Sequence, residues 1–138
     1  MFIPRGSTVI DVGANIGTVS IPIARLHNSN VTVIAYELFN DTKKILDKNI
    51  NENKAYNVIS IESAVGDKVR PRVYINIEHK DVNQAVNKIG QKDSINNASN
   101  TIHMINVDSV PLDNVSAIKV DVEGAEPLVF YGARNTIM

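Results

Sequence analysis

Two clusters in this 138-residue chain have the residue types and spacing to do chemistry. The first is Val9-Ile10-Asp11-Val12-Gly13-Ala14-Asn15-Ile16-Gly17-Thr18, an apolar β-branched run that breaks at glycine. Glycine admits positive φ and lets a backbone approach a ligand closely. A dinucleotide fingerprint wants glycine at positions 1, 3 and 6 of the turn, and here Gly13 alone satisfies it, because Asn15 and Thr18 occupy the others. A turn for S-adenosylmethionine wants glycine at the first, third and fifth positions. Gly13 and Gly17 meet two of these, and Asn15 is a residue that tolerates left-handed backbone. The count favours S-adenosylmethionine over a nicotinamide, although strand–glycine–helix turns also arise for structural reasons alone.

Glu37 adds to that reading. It follows a second apolar run, twenty residues after Gly17, where an acid can accept hydrogen bonds from both hydroxyls of a ribose. A solvated acid at a strand end is the plainer alternative. Ser63-Ala64, after a third run, falls where an adenine edge would lie, or forms a simple turn. The second cluster is Asp121-Val122-Glu123-Gly124-Ala125-Glu126, three carboxylates beside a glycine at the end of the apolar run 117–122. Acids there suit a cationic sulfonium, and one could act as a general base toward a hydroxyl, worth about 10²–10⁴-fold in rate. Asp121 and Glu123 are the candidates. Glu126, in the first turn of the following helix, answers better to the positive end of the helix dipole. His27, His79 and His103 stand apart from one another, so no metal set is expected.

These groups need elements to place them. Thr8–Val12 reads as a strand buried on both faces, and Val31–Tyr36 and Asn57–Ile61 read as further strands. Between them, a helix is expected from Ile16 or Gly17 to His27, with Pro22 in its early turns and His27 at its negative end. A second helix is capped by Asn40 or Asp41 and buries Ile45, Leu46 and Ile50. Strand, helix, strand, helix, strand at this pace implies right-handed crossovers and a parallel sheet. Further on, Arg72–Ile77 alternates like a half-exposed strand, Asp81–Ile89 has helical spacing closed by Gly90, and Gln91–Asn100 reads as a polar loop. Ile102–Val107 and Ala117–Val122 are further strands, and Ala125–Thr136 is one helix. In such a sheet ligands gather beyond the carboxyl ends of the strands, so Asp11 and Asp121 are expected on one rim.

Composition sets the outer limits. The length fits one domain over residues 1–138. Fourteen Lys and Arg against fifteen Asp and Glu leave a net charge of −1, with no basic excess for nucleic acid. No apolar run approaches the ~20 residues of a membrane span, and Met1–Gly6 lacks the regions of a signal peptide. Zero cysteines exclude disulfides, thiolate catalysis and cysteine metal sites. A soluble cytoplasmic domain is the default expectation.

The blocks Asp11-Val12-Gly13-Ala14-Asn15-Ile16-Gly17, Tyr36-Glu37, Asn49 with Asn53, Val107-Asp108, Ile118-Lys119-Val120-Asp121-Val122-Glu123-Gly124-Ala125-Glu126 and Gly132-Ala133 together resemble the FkbM family of methyltransferases. The resemblance runs from about Gly6 to Ile137. It implies a Rossmann-like class I methyltransferase fold, three-layer α/β/α with a mostly parallel sheet. It also implies S-adenosylmethionine as methyl donor, and a hydroxyl of a small molecule or saccharide as acceptor, with no nucleic-acid or membrane partner. Asp11, Gly13, Ala14, Asn15 and Gly17 would hold the donor, with Asp11, Gly13 and Gly17 at its methionine end. Glu37 would take the ribose, Leu38 and Ser63-Ala64 would face adenine, and Asp121 and Glu123 would face the acceptor as catalytic acids. Leu38 stands where many members have proline. The fold's fifth to seventh strands are not in the sequence, so the expectation is a shortened form. It is either a truncated gene product or a chain whose fourth-strand edge is covered by a second copy, and a non-catalytic nucleotide-binding or assembly module is the alternative to the enzyme.

Overall fold

The computed structural model describes residues 2–74 and 101–138. The helix expected over Asp81–Ile89, the loop Gln91–Asn100, the last part of the strand Arg72–Ile77 and His79 lie outside the described residues. In chain order the elements are β1 (Ser7–Val12), α1 (Ser20–Ala24), β2 (Val31–Glu37), α2 (Asn40–Glu52), β3 (Val58–Glu62), β4 (Ala64–Val65), β5 (Arg70–Tyr74), β6 (Thr101–Ile105), β7 (Val115–Val120), α3 (Glu126–Tyr131) and α4 (Arg134–Ile137). They fall into two compact units, Met1–Ser63 with Val110–Asp121, and Ala64–Ser109 with Val122–Met138. Among the described residues no helix is long and apolar enough to cross a membrane.

The first unit is a parallel four-stranded sheet in the order β3-β2-β1-β7. Its central strands are rich in Val and Ile because both of their faces are covered: Val9, Ile10, Val12, Val33, Ile34 and Ala35 are all buried. One face carries α1 and α2, whose Ile21, Ala24, Leu46 and Ile50 pack in one cluster with Val9, Val33 and Ala35. In register, Asp11 lies opposite Ala35 on one side and Lys119 on the other. That pairing puts Gly13, Glu37 and Asp121 side by side at the carboxyl ends of three neighbouring strands.

The helices differ from the sequence reading in instructive ways. The first begins at Ser20 rather than Ile16 or Gly17. Pro22 lacks an N–H and fits only an early turn, so the helix starts just ahead of it, and residues 13–19 stay free as a turn. His27 does not close that helix. It adopts φ 53° in a 3-10 turn, and its Nε2 lies 2.7 Å from the Ile3 carbonyl oxygen, tying down the segment before β1. The second helix has Phe39 at its N-cap, and neither Asn40 nor Asp41 caps it. The Asn40 amide instead donates to Glu62 at 2.6 Å. Leu46 and Ile50 are buried as expected, but Ile45 is 48% exposed.

The second unit pairs β6 with β4 in parallel and with β5 antiparallel. Its core holds Val73, Ile102, Met104, Val107, Val129 and Ala133. β6 stops at Ile105, since Val107 enters a 3-10 turn with Asp108 and Ser109. The helix expected over Ala125–Thr136 is broken at Gly132-Ala133 into α3 and α4. Asp108 accounts for the break. Its carboxylate accepts the Asn135 and Thr136 N–H groups at 3.0 and 2.9 Å, restarting the chain as a new helix. Burial pushes the Asp108 carboxyl up, but these hydrogen bonds outweigh it and hold the group below its ordinary value. Gly132 is required there because a side chain would strike the Gly66 carbonyl oxygen and Asn106 Cβ.

Gly17 has φ 94°, and a Cβ on it would lie 2.8 Å from Leu46 Cδ1 and 2.9 Å from Ile21 Cδ1. Gly17→Ala therefore combines backbone strain with overpacking. Urea unfolding should show a loss of about 1–3 kcal/mol at unchanged denaturant slope. A variant as stable as the parent would mean that the turn and the helix pair are not in contact.

Candidate functional site

The turn after β1 is built by hydrogen bonds to the neighbouring strand. The N–H groups of Gly13 and Ala14 both donate to the Tyr36 carbonyl at 3.0 Å. Gly13 has φ 80° and Asn15 φ 51°, so the left-handed position expected of Asn15 is the one it occupies. Beyond it, the Ile16 carbonyl accepts the Asn49 side-chain amide at 2.8 Å, fastening the turn to α2. Burial pushes the Tyr36 phenol above its ordinary value, so that residue supplies its backbone to the site and no charge.

Glu37 sits at the end of β2 with only 6% of its surface exposed. Its Oε2 accepts the Asn15 N–H at 2.9 Å, and its Oε1 accepts the Phe39 N–H at 2.9 Å. A buried carboxylate is tolerable when it is hydrogen-bonded in this way. An ionised carboxylate has about four acceptor positions, and these bonds use one on each oxygen. The remaining capacity suits a pair of vicinal hydroxyls. Ser63 is buried next along the rim, and its N–H donates to the Glu37 carbonyl at 3.2 Å. Leu38 is half-buried between Glu37 and Phe39.

Asp11 is fully buried, and both of its oxygens face protein groups. Ser20 donates its hydroxyl to Oδ2 at 2.6 Å, and the Lys119 ammonium lies 3.0 Å from Oδ1. Lys119 donates its hydrogen bond to the Gly13 carbonyl at 2.8 Å, and it lies 3.9 Å from Asp121 Oδ2. Asp121 itself is 71% exposed at the end of β7, held in place by its N–H donating to the Val12 carbonyl at 3.0 Å. Of the residues expected to bind a ligand, Asp11, Gly13, Ala14, Asn15, Gly17, Glu37, Leu38, Ser63 and Asp121 thus belong to the first unit. Gly17 is buried against Leu46 and Ile21, and Asp11 is a partner of Ser20 and Lys119.

Ala64 and Glu123 belong to the second unit. Ala64 is buried in β4 opposite Met104, and Glu123 is exposed with φ 48°. In the same unit Glu126 accepts the Gly124 N–H at 2.8 Å and the Val122 N–H at 3.3 Å. Hydrogen bonds from its own backbone N–H and from these neighbours hold its carboxyl below the ordinary value. Glu126 therefore clasps the turn that leads into its own helix. Lys119 is the residue the sequence reading passed over. Its only signal was a lysine inside an otherwise apolar strand.

The sequence model of the family described as "Methyltransferase FkbM domain" matches residues 11–138. No curated protein gives a significant match. Among solved structures, methyltransferase FkbM from Methylobacillus flagellatus KT aligns with a TM-score of 0.71 at 17% identity, over 99% of this chain and 31% of that one. TYW2 of P. horikoshii in complex with MeSAdo aligns at 32% identity and TM-score 0.38, over 44% of this chain and 23% of that chain. TYW2 of M. jannaschii in complex with AdoMet aligns at 28% identity and TM-score 0.39, over 50% and 37%. The first likeness shows the Rossmann-like, mostly parallel α/β fold expected from the sequence, and the chain spans under a third of that structure's length. Its glycine turn, its rim acids and a family match over nearly its whole length agree: this chain belongs to the FkbM methyltransferase domain family.

Proposed function

We propose that this chain binds S-adenosylmethionine at the rim of β1, β2 and β7 and serves transfer of its methyl group to a hydroxyl of a small molecule or saccharide. The observation that carries the reading is Glu37. A buried carboxylate is fixed by two backbone N–H groups, and it keeps acceptor capacity for two ribose hydroxyls. The family supports the methyl-transfer chemistry.

When bound, S-adenosylmethionine supplies a methyl group made electrophilic by its sulfonium. The chain's residues do the rest. Glu37 holds the ribose, and the Gly13–Asn15 backbone lies close enough to the rim to border the donor. Leu38 offers an apolar wall and Ser63 a polar edge toward adenine. Asp121, exposed at the strand end, accepts the proton that the acceptor hydroxyl must lose. Orienting donor and acceptor supplies most of the rate, and a base adds about 10²–10⁴-fold.

Titration calorimetry with S-adenosylhomocysteine and its 2′-deoxy analogue tests the ribose contact directly. The parent should bind the deoxy ligand about tenfold or more weakly, the worth of a hydrogen bond to a charged acceptor. Glu37→Ala should bind both weakly and no longer distinguish them. Discrimination that survives the substitution would move the ribose elsewhere, and no binding of either ligand by the parent would remove the donor assignment.

Asp121→Asn keeps the side-chain shape and removes the base. Its affinity for S-adenosylhomocysteine should stay within about twofold of the parent, while methyl transfer to hydroxyl-bearing small molecules and saccharides falls about 10²–10⁴-fold. Parent rates in this variant would take the base role from Asp121.

A further inference from the structure

We propose that Lys119 is a positioning residue that locks the Gly13–Ala14 peptide in the orientation a ligand needs. The proposal rests on the bonding of one peptide plane. On one side its N–H, that of Ala14, donates to the Tyr36 carbonyl of β2 at 3.0 Å. On the other side its carbonyl, that of Gly13, accepts the Lys119 ammonium from β7 at 2.8 Å. The plane is therefore held from both neighbouring strands at once.

Turning this peptide over changes ψ of Gly13 and φ of Ala14, and Gly13, at φ 80° and with no Cβ, sets no side-chain barrier to its share of that rotation. A flip here would point the Ala14 N–H away from Tyr36 and displace the next N–H, that of Asn15, which Glu37 accepts. The Lys119 bond opposes that flip. Its ammonium has three donors, and the ion pair with fully buried Asp11 at 3.0 Å keeps it from swinging out to solvent. Asp121, 3.9 Å away and largely exposed, adds little to the anchoring. Asp11, in turn, is fixed by the Ser20 hydroxyl at 2.6 Å. A chain of contacts thus runs Ser20, Asp11, Lys119, Gly13, from the first helix to the turn.

The alternative is that Lys119 does no more than neutralise Asp11, and a double-mutant cycle separates the two roles. Lys119→Met alone strands a buried carboxylate, so the deciding variant is Asp11→Asn combined with Lys119→Met, in which no charge is stranded and a pure counter-ion has nothing left to neutralise; urea unfolding checks that it folds. Two quantities are read: backbone amide exchange of Ala14 and Asn15 in the ligand-free protein, and affinity for S-adenosylhomocysteine. That ligand has no net charge, and the variant removes one positive and one negative group, so the net charge of the site is unchanged. In the double variant exchange of both amides should stay raised about tenfold or more over the unmutated protein, with the ligand bound about tenfold more weakly. Exchange within about twofold of the unmutated protein would overturn the proposal, leaving Lys119 a counter-ion. The affinity arm rests on the S-adenosylmethionine reading, whereas the exchange arm does not. A protein that binds no S-adenosylhomocysteine would sink that reading, and amide exchange would still decide the role of Lys119.

Discussion

Everything at the rim depends on how the Glu37 carboxylate is held. It ends β2, and it grips the turn that ends β1 through the Asn15 N–H and the start of α2 through the Phe39 N–H. In a parallel sheet all strands finish on one side, so loops crowd there with backbone groups that the ladder no longer satisfies. A buried carboxylate among them meets two needs together. It takes up free N–H groups, and those groups make its own burial tolerable. Its left-over acceptor capacity is what the proposed ribose contact would use.

The neighbouring strand carries the second constraint, a charge balance. Asp11 is fully buried, and an isolated carboxylate in that position would cost several kcal/mol. Ser20 and Lys119 offset that cost, and the register that places Asp11 beside Lys119 also carries the ammonium to the Gly13 carbonyl. With Asp121 included, two carboxylates face one ammonium. Those three groups sum to one negative charge, and Glu37 at the end of β2 adds a second, the sign that attracts a cation.

Much of this was legible in the chain. β1 and β2 announced themselves because strands buried on both faces need uninterrupted Val and Ile, and Gly13 marked where the first one ends. Leu46 and Ile50 showed the inner face of α2 for the same reason. The failures came where tertiary contacts decide. Ile45 has helical spacing but points outward, and Asn40 has capping chemistry but spends its amide on Glu62. The late start of α1 follows from Pro22, which fits only an early turn and so sets the helix start just ahead of itself rather than at Ile16 or Gly17. The break between α3 and α4 depends on Asp108, more than twenty residues away, which no local pattern reveals. Lys119 was invisible for a related reason: its partners are set by strand register, and neighbours across a sheet are not neighbours in sequence. Gly13, Asn15 and Glu37 could be grouped from spacing alone because the distance between them is fixed by one strand–helix–strand crossover.

The account stands on a shared hollow bordered by the glycine turn and the acid of β2. Backbone amide resonances followed by two-dimensional NMR during titration with S-adenosylhomocysteine test it most directly. The account predicts that Asn15, Phe39 and Ser63 shift together along a single binding curve while residues at the opposite ends of the same strands, such as Thr8 and Thr32, stay still. Saturable binding that leaves Asn15 and Phe39 unmoved would contradict it.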